Sequence, residues 1–257
     1  MALRFSVCVE MIFRDLPFPE RLDRVRASGA PAYEFWRWAD KDIPAIAERA
    51  RRLGLECAGL VGSTGGPLVE PARRDDFLEG LSGAVAVADR VGARTLILTT
   101  GQALEGVERA RQHDSIVAGL KAAAPIAADA GLTLALEPLN TKVDHAGYYL
   151  DSTAEGIGIV DEVGSASVKL LYDFYHAQVM EGNLTRTALE NLGKIAHLHV
   201  ADNPGRQEPG TGEVSYRPVF RALDEAGYGG YVGLEFRPSG DHEQAVRETI
   251  ALASFLS

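Results

Sequence analysis

Four side chains able to hold a cation or move a proton stand where four apolar runs end: Glu137 after Leu-Ala-Leu, Asp173 after Leu-Leu-Tyr, His199 after Ala-His-Leu and Glu235 after Val-Gly-Leu. They are 36, 26 and 36 residues apart, about the length of a strand, a helix and their two loops. One polar residue closing a buried strand is ordinary. Four of metal-ligating type in consecutive units predict a single divalent cation held at one end of a parallel barrel. Two glutamates, one aspartate and one imidazole suit Mg²⁺, Mn²⁺ or Co²⁺ better than a thiolate-seeking metal, and no organic cofactor is expected.

The paired glutamates indicate the chemistry. A cation bridging a carbonyl and the neighbouring hydroxyl stabilises an ene-diolate. Glu137 or Glu235 removes the proton beside the carbonyl, and the other returns one. Return to the neighbouring carbon is isomerisation; return to the same carbon from the opposite face is epimerisation. The same groups serve both reactions.

Further residues are expected around this site. His176, in Tyr172-Asp-Phe-Tyr-His176, is placed to donate to a substrate oxygen. Arg206, in Asp202-Asn-Pro-Gly-Arg206, offers a planar fork to a carboxylate or a hydroxyl-bearing end. Glu181 either contacts substrate or pairs with Arg186. Trp36 and Trp38 either wall the pocket or pack at its rim. His145 follows the fifth strand and either lines the pocket or sits in a solvated loop. Glu34 is expected to pair inside the barrel. His197 shares the sheet face of His199 and can support it from behind. His113 and His242 read as solvated helix positions.

The elements that must carry these residues repeat eight times. Strands are predicted at Phe5–Val9, Ala32–Trp36, Leu55–Val61, Thr95–Leu98, Thr133–Leu136, Val168–Tyr172, Ile195–Val200 and Tyr231–Leu234. Helices are predicted at Phe18–Ser28, Ile43–Leu53, Asp75–Val91, Val107–Ala130, from Ser152 or Thr153 to Val163, and at Leu184–Leu192, Arg217–Ala226 and Asp241–Phe255. Apolar positions 43, 46, 47, 50 and 53 mark one clear amphipathic helix, ended by Gly54. Continuous apolar strands alternating with such helices indicate a parallel sheet covered by helices. Eight units in 257 residues predict a single-domain (β/α)₈ TIM barrel over residues 1–257. A doubly wound sheet is the competitor, but Glu10-Met-Ile-Phe-Arg-Asp occupies the place of its Gly-rich phosphate loop.

Bulk properties narrow the partners. The net charge of −10 argues against nucleic acid or an anionic membrane. It also argues against a DNA-repair endonuclease, as does a total of six histidines, too few for a multi-zinc cluster beside other roles. A metal-dependent sugar sensor would need no proton shuttle, whereas both glutamates are present. Cys8 and Cys57 lie in apolar runs outside any CxxC pattern, as small hydrophobes do. The opening MALRFSVCVEMIF lacks a basic head and long apolar stretch, and no run approaches a membrane span. A cytoplasmic location is expected.

Longer motifs carry a resemblance. They are Phe5-Ser-Val-Cys-Val-Glu-Met-Ile-Phe13, Leu136-Glu-Pro-Leu-Asn140, Tyr172-Asp-Phe-Tyr-His176 with Gln178-Val-Met-Glu-Gly182, His197-Leu-His-Val-Ala-Asp-Asn-Pro-Gly-Arg206, Glu208-Pro-Gly-Thr-Gly-Glu213 and Gly233-Leu-Glu-Phe-Arg-Pro238. In these the chain resembles the hydroxypyruvate isomerase family of the xylose-isomerase-like barrels. The resemblance spans nearly the whole chain and is densest from residue 134 onward. It implies interconversion of hydroxypyruvate and tartronate semialdehyde, or of related small oxo-acids and ketoses. It also implies that Glu137 and Glu235 are both ligands and the acid/base pair, that Asp173 and residue 199 complete the metal shell, and that the protein is a homodimer or homotetramer. At position 199 it implies glutamine in hydroxypyruvate isomerases and histidine in ketose 3-epimerases. His199 therefore leaves a ketose 3-epimerase open as the alternative.

Overall fold

The computed structural model describes residues 3–254. Its strands are β1 (Arg4–Cys8), β2 (Ala32–Phe35), β3 (Glu56–Val61), β4 (Thr95–Leu98), β5 (Thr133–Leu136), β6 (Val168–Asp173), β7 (Ile195–Val200) and β8 (Tyr231–Leu234). Between and after them lie α1 (Phe18–Ala27), α2 (Ile43–Leu53), α3 (Arg74–Val91), α4 (Arg109–Asp129), α5 (Thr153–Val163), α6 (Phe174–Met180), α7 (Leu184–Glu190), α8 (Tyr216–Glu225) and α9 (His242–Leu252). The strands pair in parallel in sequence order, and β8 closes on β1. This is the (β/α)₈ barrel, in one domain.

Alternation along each strand divides the core. Leu134, Leu136, Leu170, Tyr172, Leu198, Val200, Val232 and Leu234 join the large cluster between strands and helices. Ile97, Ala135 and Leu171 form a separate small cluster and belong to the inward set, two residues before the strand-end groups on β5 and β6. Both faces are therefore buried, which is why the strands read as unbroken apolar runs. Helix ends follow local chemistry. Asp42, Ser152 and Asp241 cap α2, α5 and α9 with side-chain oxygens. Gly54, Gly92 and Gly164 end α2, α3 and α5 in left-handed backbone.

Two expectations about the elements need revision. A single helix is predicted after the sixth strand, but there are two, and α6 begins at the residue after Asp173. Its Phe-Tyr-His start has weak helix propensity and no clear stripe; the cap from Asp173 and burial of Phe174–Ala177 hold it there. The expected last residue of the final helix, Phe255, lies outside the described residues; α9 is described to Leu252. Among the described residues no helix is long and apolar enough to cross a membrane.

The polar segment after β3 packs hard against α3. A Cβ on Gly65 would sit 1.7 Å from the Asp76 carbonyl oxygen, and one on Gly66 would sit 2.6 Å from that of Arg73. We expect Gly65→Ala to cost about 1–3 kcal/mol through overpacking, read as a lowered midpoint in urea unfolding. An unchanged midpoint would contradict this packing.

Candidate active site

Each of the four strand-end groups leaves the sheet from an inward position. Glu137, Asp173, His199 and Glu235 lie two residues beyond Ala135, Leu171, His197 and Gly233. Asp173 pairs in register with His199, and His199 with Gly233. Sheet hydrogen bonding extends one residue past β5 and β8, from Glu137 N–H to Leu98 O (2.9 Å) and from Glu235 N–H to Val200 O (3.2 Å). The barrel thus delivers all four to one level at its C-terminal end, where such barrels keep their sites. One ligand atom from each falls within 4.8 Å of the others, and all four residues are buried.

The donor set fits a divalent cation. His199 Nδ1 is buried without a hydrogen bond and lies 3.5 Å from both Glu137 Oε1 and Glu235 Oε2. Three carboxylates face one guanidinium and one imidazole, an arrangement a hard or borderline cation neutralises. Burial opposes charge on His199, but Glu235 and Glu34 raise its basicity well above that of a free imidazole. Burial also pushes the Asp173 carboxyl up, against the charges of Arg206 and His199. For Glu235 burial acts upward too, yet His199 and Arg206 hold it far below the usual carboxylate range.

The two glutamates differ. Glu235 is held by Arg206 Nη2, and its Oε1 accepts from Trp36 Nε1–H at 2.9 Å. Glu137 has neither contact, and both glutamates border a cavity of about 220 Å³ lined also by Trp36, Thr99, His145, His176 and Arg206. Trp36→Phe removes a hydrogen bond to a charged group, worth about 1.5–3 kcal/mol. We expect kcat/KM to fall roughly tenfold or more; wild-type kinetics would show that Trp36 does not orient Glu235.

His176 has a definite tautomer. Its Nδ1 accepts the Asn140 backbone N–H at 3.0 Å, so the ring proton sits on Nε2. That nitrogen is buried with no hydrogen bond and lies 3.6 Å from Asp173 Oδ2. Burial, reinforced by the Arg206 charge, pushes the imidazole down to about 3, so the ring is neutral. A neutral Nε2–H donor therefore borders the cavity. Asp173 Oδ1 meanwhile accepts Tyr175 N–H at 2.7 Å and His176 N–H at 3.3 Å. One carboxylate thus starts α6 and contributes an oxygen to the site.

Arg206 reaches the site from the loop after β7 with a left-handed backbone (φ 55°), which costs about 1–3 kcal/mol in a non-glycine residue. Asp202, fully buried, holds that loop by accepting from Asn203, Gly210 and Val214 N–H groups. The guanidinium also lies over the Tyr175 ring, 5.1 Å from its centroid, and its Nε is buried without a hydrogen bond. These contacts leave Nε as a free donor beside the carboxylates.

Other expected residues divide. His145 lines the cavity, 5.5 Å ring to ring from His176. Glu181 stands apart from it: its carboxylate accepts Thr153 N–H at the start of α5, and Arg186 pairs with Glu190 instead. Trp38 packs over Gly83 of α3 and borders a neighbouring surface cavity shared with Trp36, Val61 and Ser63. Glu34 does pair inside the barrel, with His197 and His199. His242 is more than a solvated position, since its Nδ1 accepts Phe13 N–H at 2.9 Å, while His113 pairs with Glu162. Asn140, Tyr175 and Asp202 also serve the site; all three lie within the quoted motifs, but nothing local in the sequence distinguishes their roles.

Residues 22–255 match the model of the family described as xylose isomerase-like TIM barrel. Hydroxypyruvate isomerase of Escherichia coli is 31% identical over 252 residues, spanning 95% of this chain and 97% of that one. 2-Oxo-tetronate isomerase of Cupriavidus necator is 31% identical over 242 residues, spanning 91% and 93%. A Brucella melitensis crystal structure described as AP endonuclease, family 2, superimposes with a TM-score of 0.91 at 30% identity, covering 96% and 97%. L-Ribulose 3-epimerase shares the fold, with a TM-score of 0.80 at 24% identity, covering 97% and 92%. With the barrel, the glutamate pair and isomerase relatives along nearly its whole length, the chain is an isomerase and belongs to the hydroxypyruvate isomerase family of xylose isomerase-like TIM barrels.

Proposed function

We propose that this isomerase converts hydroxypyruvate to tartronate semialdehyde (2-hydroxy-3-oxopropanoate), using one divalent cation, Mg²⁺, Mn²⁺ or Co²⁺, held by Glu137, Asp173, His199 and Glu235. The supporting observation is the convergence of four ligand atoms within 4.8 Å beside a cavity of about 220 Å³ bordered by Arg206. A small cavity with one guanidinium suits a short oxo-acid. When bound, the cation would polarise the substrate carbonyl and the adjacent hydroxyl.

The chain's own groups do the rest. Arg206 Nε–H binds the substrate carboxylate. His176 Nε2–H donates to a substrate oxygen and, being neutral, adds no charge. Glu137 takes the C3 proton of hydroxypyruvate, giving the ene-diolate. Glu235 supports return of a proton to C2, and the hydroxyl proton passes from O3 to O2, leaving the aldehyde at C3. Free buried Cys8 and Cys57 agree with a reducing cytoplasm as the location, and a homodimer or homotetramer is the assembly proposed.

Incubation with hydroxypyruvate and Mn²⁺ in D₂O, followed by NMR, tests the reading. Tartronate semialdehyde deuterated at C2 is expected. The four-carbon analogue 2-oxo-tetronate belongs in the same assay, because a relative is named for it. The second reading is a ketose 3-epimerase, favoured by His199 as the imidazole ligand. No turnover of hydroxypyruvate, with rapid C3 exchange in fructose, tagatose or ribulose, would replace the first reading by the second.

A further inference from the structure

We propose that Glu34 is the positioning residue of the cation site: it holds the His199 ring so that Nδ1, and not Nε2, is the atom offered to the metal. This rests on the reading that Glu137, Asp173, His199 and Glu235 bind a cation. Glu34, His197 and His199 are each 1% exposed. Glu34 Oε2 accepts from Ser6 Oγ and from His197 Nε2, both at 2.8 Å. Oε1 lies 2.9 Å from His199 Nε2, off the line of the N–H, and neither atom has another hydrogen bond. The opposite ring nitrogen, Nδ1, faces Glu137 and Glu235.

An imidazole has one lone pair to give when neutral, and the partner of its other nitrogen decides which. A buried carboxylate accepts and never donates, so Glu34 favours a proton on Nε2 and a lone pair on Nδ1. Its Oε2 accepts two hydrogen bonds, from Ser6 Oγ and His197 Nε2, the pattern of an ionised carboxylate. The ring is also fixed edge-on by His197, with centroids 5.0 Å apart at 83°. The fold leaves room for this contact. A Cβ on Gly233 would lie 2.5 Å from His199 Cδ2 and 2.6 Å from Glu34 Oε1, so the β8 backbone carries a notch where the pair meets.

Glu34, His197 and His199 also cluster tightly enough to suggest a second cation site. Their contacts argue otherwise, because Oε2 is taken up by Ser6 and His197, and the ring of His199 turns its Nδ1 away. The cluster is a brace.

Glu34→Gln tests this, because an amide keeps the shape but has one accepting oxygen where the carboxylate has two. We expect Mn²⁺ affinity, measured calorimetrically without substrate, to fall about 10- to 100-fold. Affinity within about twofold of the parent would overturn the role of Glu34 and leave the cation reading standing. Failure of the parent to bind Mn²⁺ would sink that reading, and the inference with it. If Glu34→Gln does not fold, ¹⁵N-histidine NMR of the unaltered protein saturated with Mg²⁺ decides. A proton on His199 Nε2 with none on Nδ1 supports the proposal, and a proton on Nδ1 overturns it.

Discussion

Glu137→Gln is expected to lower kcat about 10²- to 10⁴-fold, the range for removing a positioned general base. An amide cannot take a proton from carbon. Glu137 is the better candidate for that task, since Arg206 and Trp36 tie Glu235 down, whereas Glu137, on the same cavity, has neither contact. The substitution also removes one anionic ligand, so it must be assayed at saturating Mn²⁺. Under those conditions binding of a substrate analogue, followed calorimetrically, is expected to persist while solvent deuterium incorporation disappears. Activity within tenfold of the parent would show that Glu137 moves no proton.

Removal of divalent cations is expected to stop turnover, with a loss of at least about 10²-fold, as when electrostatic stabilisation of a developing oxyanion is withdrawn. Mn²⁺, Mg²⁺ or Co²⁺ should restore it. Asp173→Asn gives the same result by another route. Asparagine keeps an oxygen for the Tyr175 and His176 N–H groups that start α6, so the fold is expected to survive. It removes the charge that Oδ2 offers beside Arg206 and His176. Elemental analysis should find less bound metal per chain, and circular dichroism should be unchanged. Full activity in protein shown by that analysis to be metal-free would reject the cation chemistry.

The sequence by itself determined the architecture and the four polar groups that gather at one end of it. Apolar runs buried on both faces announce a parallel barrel, and strands 95–98, 133–136, 195–200 and 231–234 fall where the pattern puts them. Glu137, Asp173, His199 and Glu235 were legible because each closes a run at a spacing set by the βα unit. Helix α6 was not legible, because its start depends on Asp173 as a cap and not on an apolar stripe. Glu181 shows the opposite failure: its loop position suggested the site, whereas its carboxylate caps α5.

Only the tertiary structure decided how the polar groups divide their work. Glu34 and His199 are 165 residues apart in sequence and 2.9 Å apart in the barrel; Asn140 fixes the proton on His176 from another strand's loop. Periodicity reports which face a side chain occupies. Barrel closure and strand stagger determine which side chains meet across that face, and a hydrogen bond between distant strands has no local signature.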